Sequence, residues 1–407
     1  MSVINLEQRP SGRIGWILSN GFRPMFVLVV LQALLALLGW LLFWRGWASP
    51  PSAMLPSLLW HGYEMLFGFV GAAIGGFLLA AVANWTGRKP VSGGALVWLA
   101  LAWCLARLGA LLGGDWPEEV NVLAAVGYWL VLAFLFGREL VLAGNRRNFK
   151  LLGVLALFAL LALAFQLQWG EPLVILHLAL VLVLVLLTLI GGRITPAFTR
   201  NWLRRKAQGR GKEPASFGVV DRAAAGLTPV SGVFWAFWPQ HWLTVALLAL
   251  AGGVQLLRLV RWRGLQTLTE PLLMALHLGY AWLGIGLLLL AGSSAGLWSA
   301  SAGLHGLTVG GMGGMIMAVA ARAALGHTGR ELQAGGLLTL ALLLLHLAAL
   351  VRVLAALWPA AMVTLVMVAG LLWLVAFSCF AWRYLPILLG PSLRFSDRLK
   401  EQGAVKR

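Results

Sequence analysis

The sequence predicts an all-α, polytopic membrane fold of about twelve helices with both termini cytoplasmic, and three observations carry that reading. Of 407 residues, 60% are hydrophobic and 11% charged, too few polar side chains to shell a water-soluble domain. Apolar runs near the ~20 residues that cross a ~30 Å hydrocarbon core recur along the whole chain. Lysines and arginines gather in alternate connections between those runs, as they do on the cytoplasmic side of membrane proteins.

The runs fall at about 25–44, 58–83, 93–112, 120–143, 150–169, 172–191, 220–238, 241–259, 270–291, 297–321, 333–357 and 360–382. The first begins near Met25 and is long enough to span, so it reads as a transmembrane helix and not as a cleaved signal. The seventh is the weakest, because it opens on Asp221 and Arg222 and contains Pro229. As a re-entrant segment it would leave eleven spans and put the termini on opposite sides.

With twelve spans the charges alternate. Arg9, Arg13 and Arg23, then Arg88 and Lys89, then Arg146, Arg147 and Lys150 share one side with the basic stretch Arg193 to Arg222. Arg258, Arg261, Arg263, Arg322, Arg330 and the tail join them, while Arg45, Asp115, Glu118 and Glu119 lie opposite. One membrane domain, 1–407, is thus divided into a six-helix half (1–192), a basic cytoplasmic loop (193–219), a second half (220–382) and a cytoplasmic tail (383–407). The net charge of +18 is therefore a topology signal, and the partner it implies is membrane lipid, not nucleic acid. Arg204, Arg205 and Lys206 either meet anionic headgroups or form a solvated loop. Cys104 and Cys379 sit within apolar runs, which argues against a disulfide framework or a cysteine zinc site. Phosphate-loop, dinucleotide and zinc-protease patterns are absent.

Ionisable groups at membrane depth cost about 2.5 to 3.5 kcal/mol each on insertion scales, so each asks for a partner or a purpose. His61, His177, His277, His305 and His346 lie within predicted spans. His61, His177 and His305 follow outer-side helix starts, His346 falls near the midplane, and His277 lies deeper. Such inward-facing side chains build metal and haem sites between helices, or serve as interhelical hydrogen-bond partners. His61 and Glu64 are one turn apart; the carboxylate either orients the imidazole, binds a cation, or makes one structural contact. His305, Thr308, Met312 and Met315 recur at helical spacing, an imidazole and thioether set that suits Cu(I) or haem iron, although a methionine stripe more often fills a core. Arg107 and Arg352 lie one to two turns from the outer surface, where an arginine either snorkels or pairs with a haem propionate.

Separated motifs in a fixed order resemble one family. Gly21-Phe22-Arg23-Pro24, Trp60-His61-Gly62-Tyr63-Glu64-Met65-Leu66-Phe67-Gly68-Phe69, Asn84-Trp85-Thr86-Gly87 and Gly191-Gly192-Arg193-Ile194-Thr195-Pro196 are similar to NnrS proteins. So are Glu270-Pro271-Leu272, His277-Leu278-Gly279-Tyr280-Ala281-Trp282, and the block from His305 to Arg330. The resemblance implies a twelve-helix bacterial inner-membrane protein of the nitric-oxide and nitrosative-stress response that carries haem b and copper. It implies His61, Glu64, His277 and His305 as ligand candidates; we assign His61, His277 and His305 to haem, with Arg107 and Arg352, from their depth, as propionate partners. Copper candidates are His61, Glu64, His305, Met312 and His346. The family usually has a second histidine two residues after the first, where this chain has Tyr63, so either tyrosine ligates or a ligand is lost. Nitric oxide or a related small molecule, and an electron donor, are the implied partners. No two histidines are adjacent, which argues against a haem-copper oxidase or reductase; whether the chain turns over a substrate is left open. The alternative is a secondary transporter of a small anion or metal chelate, with midplane histidines relaying protons.

Overall fold

In a computed structural model, residues 10, 12–49, 57–206 and 213–393 are described. Among them the chain is entirely helical. Twelve long helices follow a short one at Gly12–Ile17: α1 Phe22–Trp44, α2 Leu58–Thr86, α3 Gly94–Leu112, α4 Glu118–Leu142, α5 Lys150–Gln166, α6 Pro172–Lys206, α7 Val219–Phe237, α8 Trp242–Val260, α9 Pro271–Ser294, α10 Ser301–His327, α11 Gly335–Leu357 and α12 Met362–Leu389. Eleven of these regions are long and apolar enough to cross a membrane. The twelfth, α7, is one continuous helix of 19 residues despite Pro229, about 28 Å at 1.5 Å per residue. Its charge is explained by its buried face, which carries Asp221, Thr228 and Ser231.

Local chemistry sets the helix ends. Gly87 takes φ +68° after α2, a conformation that glycine adopts without strain. Pro172 and Pro271 open α6 and α9, where the missing N–H is no loss. The Asp221 carboxylate accepts the Gly218 N–H at 2.9 Å at the start of α7, and His241 Nδ1 accepts the Leu243 N–H ahead of α8.

The structure differs from the expectation at the end of the sixth span. The basic segment after residue 192 begins as helix, because α6 runs on to Lys206 with Arg204, Arg205 and Lys206 in its last turn, where cations complement the helix carbonyls. The described residues cluster into two compact units. One comprises the described parts of 1–176, 320–332 and 380–407, the other 177–319 and 333–379. In the first unit the buried Arg23 donates from Nη1 to the carbonyls of Leu388 (2.9 Å) and Gly390 (2.7 Å), and Phe22 stacks on His327 at 5.2 Å. These contacts tie the ends of α10 and α12 to α1.

Three α-helical runs are interrupted by π-helix: Glu64–Val70 in α2, Leu187–Gly191 in α6 and Gly306–Gly313 in α10. Such i→i+5 turns shift the carbonyl ladder and free acceptors. Side chains answer them in each unit. Trp103 Nε1 donates to the Gly68 carbonyl at 3.1 Å and Tyr128 to that of Gly71 at 2.7 Å, while Arg258 Nη1 donates to the Thr188 carbonyl at 2.8 Å.

Candidate functional site

In the first unit, Glu64 opens the π turn of α2 and both its oxygens are engaged. Oε1 accepts from Arg107 Nη1 at 2.8 Å and Oε2 from Gln32 Nε2. All three side chains are buried, so three helices converge on one charge-assisted pair. Gly68 makes room, since a Cβ there would lie 2.7 Å from Gln32 Nε2 and 2.9 Å from Arg107 Nη1. Gly68→Ala should therefore lower thermal stability by ~1 to 2 kcal/mol through overpacking. Gly127→Ala, where nothing lies within 4 Å, should leave the melting curve in place; equal losses at both sites would refute the packing account.

His61, one turn before Glu64, stacks on Trp40 with ring centroids 4.6 Å apart. Tyr63 lies between Phe67 (4.7 Å) and Phe165 (4.8 Å), with the Arg107 guanidinium 5.3 Å from its ring. Tyr63 also lines a cavity of about 350 Å³, together with Leu59, Gly109, Asn121, Phe165 and Gln168. The carboxylate expected near the imidazole thus holds Arg107 and Gln32.

In the second unit, His305 Nδ1 lies 2.8 Å from the Ser301 carbonyl. A carbonyl only accepts, so Nδ1 carries a proton, and in the neutral form of such a ring Nε2 carries the lone pair. Arg352 Nη2 donates to Ser301 Oγ at 2.9 Å, which brings two of the expected residues to one serine.

His277 is buried on α9, with Nε2 2.9 Å from Thr199 Oγ1. The threonine hydroxyl donates to the Thr195 carbonyl at 2.9 Å, so His277 Nε2 is the donor and Nδ1 holds the lone pair. Nδ1 is buried without a hydrogen-bond partner and faces Gly264, where a Cβ would lie 2.6 Å away. His346 on α11 is the more unusual: both ring nitrogens are buried without a hydrogen-bond partner. Its Cε1 would lie 2.7 Å from a Cβ at Gly314. Met312 is buried in the adjoining π segment of α10. His177 packs on Trp235 at 4.0 Å.

Among the described residues no three His, Cys, Asp or Glu side chains gather as a metal-binding group. The two cysteines are half-buried free thiols. The π turn Gly306–Gly313 crosses the expected His305 to Met315 stripe, and its ends differ: His305 and Thr308 are half-buried, Met312 and Met315 fully buried.

One buried network was not anticipated from the sequence. Arg258 Nε donates to Asp221 Oδ1 at 2.7 Å and Nη1 to the Tyr280 hydroxyl at 2.7 Å. Tyr280 donates to Gln255 Oε1 at 2.6 Å, and Gln255 Nε2 donates to Thr188 and Thr228 at 2.9 and 2.8 Å. In sequence Asp221 reads as a charge that weakens the seventh span and Arg258 as a cytoplasmic-side charge at the end of the eighth. The available signal was that both lie within a turn of long apolar runs, at the start of α7 and the end of α8.

Compared with known families, residues 16–392 match the model described as NnrS protein. The chain belongs to the NnrS family. Membership supports a membrane protein related to the nitric-oxide response, and the match covers every candidate site residue named above. No curated protein matches this NnrS-family chain.

Proposed function

We propose that this NnrS-family chain is a haem b protein of the bacterial inner membrane in the nitric-oxide and nitrosative-stress response, with His305 as the iron ligand. The observation that carries the reading is the His305 tautomer. A ring that donates from Nδ1 to a backbone carbonyl presents Nε2 as the ligating atom, and that hydrogen bond both fixes its orientation and raises its basicity. Arg352, joined to Ser301, supplies a cation close to the same ring, suited to a propionate. Bound haem would supply an iron position for a diatomic ligand such as nitric oxide. The chain's own part is to hold His305 in one tautomer and to keep Arg352 beside it.

His61 is a second haem-ligand candidate, held flat against Trp40. His277 fits less well, because its lone-pair nitrogen is closed in by Gly264. Arg107 gives Nη1 to Glu64 and keeps a buried Nε without a hydrogen-bond partner, so it stays a propionate candidate, while both Glu64 oxygens are engaged. Copper is favoured by one observation, the two partnerless nitrogens of His346; with the thioether of Met312 in the adjoining segment, the donor types suit Cu(I).

The test is a reduced-minus-oxidised spectrum of the purified full-length protein with haem and copper quantified on the same sample. The expected result is a b-type spectrum that His305→Ala abolishes and Arg352→Gln retains with a shifted midpoint potential. Ser301→Ala should keep its haem, because the ligand is held by the backbone carbonyl. A folded His305→Ala protein with undiminished haem, or a wild type that refuses haem on reconstitution, would overturn the assignment. His346→Ala should lower copper and leave haem unchanged.

A further inference from the structure

Among the described residues, the end of α12 gathers three arginines, and only one of them is compensated. Arg23 points at the last carbonyls of the helix, bonding those of Leu388 and Gly390 from Nη1 and Ser392 Oγ from Nη2 at 3.0 Å. That is the negative end of the helix dipole, which balances a buried cation. Arg330 reaches only the Pro391 carbonyl, at 3.4 Å from Nη2, and its Nη1 is buried with no acceptor. Arg383 lies exposed on the last turns of α12 beside Trp382, itself 81% exposed, while Tyr384 is buried. Among the described residues neither Arg330 nor Arg383 forms an ion pair with a carboxylate.

Burial and the Arg383 charge both push the Arg330 guanidinium below the usual arginine range. Two cations within electrostatic reach of each other, one with an enclosed N–H lacking an acceptor, are a poor arrangement unless an anion lies between them.

Depth identifies the anion. From Met362 to Arg383, α12 rises about 31 Å at 1.5 Å per residue, the thickness of the hydrocarbon core. Arg383 therefore emerges at headgroup level, and the exposed Trp382 is the residue type that anchors there. This end carries the basic connections, so it faces the leaflet whose surface charge attracts arginine. We propose that Arg330 and Arg383 bind the phosphodiester of an anionic phospholipid, with Trp382 against its glycerol and upper acyl carbons.

The full-length protein in nanodiscs of phosphatidylcholine, with and without phosphatidylglycerol, tests this. Native mass spectrometry should show phosphatidylglycerol retained on the wild type, and its melting temperature should rise when that lipid is present. Arg330→Gln with Arg383→Gln should weaken retention roughly fivefold per arginine, the worth of one basic residue at a charged surface. Arg330→Lys with Arg383→Lys, which keeps both charges and the fold, should retain most of the preference. No preference for phosphatidylglycerol in the wild type, or an unchanged preference in the Gln pair, would overturn the proposal. So would inorganic phosphate reproducing the stabilisation in phosphatidylcholine discs, which would assign the site to a free anion.

Discussion

Arg258→Met should be among the most destabilising single substitutions in the second unit, at about 3 to 5 kcal/mol, the loss typical of breaking a buried ion pair. The change leaves Asp221 Oδ1 without its 2.7 Å partner and takes donors from Thr188 and Tyr280. Arg261 reaches Asp221 only at 3.5 Å, too long to replace the lost bonds. The loss in Asp221→Leu combined with Arg258→Met should fall well short of the sum of the single losses, because removing both charges leaves none uncompensated. A double-mutant cycle of thermal unfolding reads this coupling, and simple additivity of the two would show that the pair is not coupled.

Gly252→Leu carries the second large effect. A Cβ at Gly252 would stand 2.8 Å from the Gly284 carbonyl oxygen, and one at Gly284 would stand 3.1 Å from that of Gly252. Backbone faces backbone here, so neither side can move a side chain out of the way. Small residues that allow such approach are what hold membrane helices together when lipid removes the hydrophobic drive. The leucine should force α8 and α9 apart and cost about 3 kcal/mol, the upper end of overpacking losses. Gly253 is the control, one residue along with nothing within 4 Å of its Cβ position. Gly253→Leu should be neutral or slightly stabilising, since leucine is the better helix former. Equal melting temperatures for the two leucine variants would refute the close-approach account.

Much of the helical layout was legible because hydropathy and loop charge act locally. The spans near 25–44, 93–112 and 333–357 need only a run of apolar residues and a basic or turn-forming connection to be placed. Even α7, doubtful for its Asp221 and Pro229, is a full-length helix. The side-chain partnerships were not legible in the same way. Glu64 meets Gln32 and Arg107 across three helices, and Asp221 meets Arg258 across 37 positions. Spacing within one helix says which residues share a face, but not which face of another helix they meet. His61 and Glu64 illustrate this, since they are neighbours by periodicity and yet face Trp40 and Arg107 respectively. The tautomers of His305 and His277 depend on a backbone carbonyl and a threonine hydroxyl, information that no motif carries.

The π turns bear on how this chain tolerates insertions and deletions. Each behaves as one residue added to an α-helix without breaking it, so deleting a residue within Gly306–Gly313 would let α10 run on as regular helix with its ends still joined. The wider turn absorbs its extra residue locally, so the register beyond it would be kept. A deletion just after Gly313, in the α-helical part, would instead swing the later residues by about 100°, the angle between successive α-helical residues. That rotation would carry Met315 and every later contact of α10 to a different azimuth while leaving His305 where it is, so alignments of such chains should tolerate single-residue gaps at these turns and in the connections and resist them elsewhere in the helices.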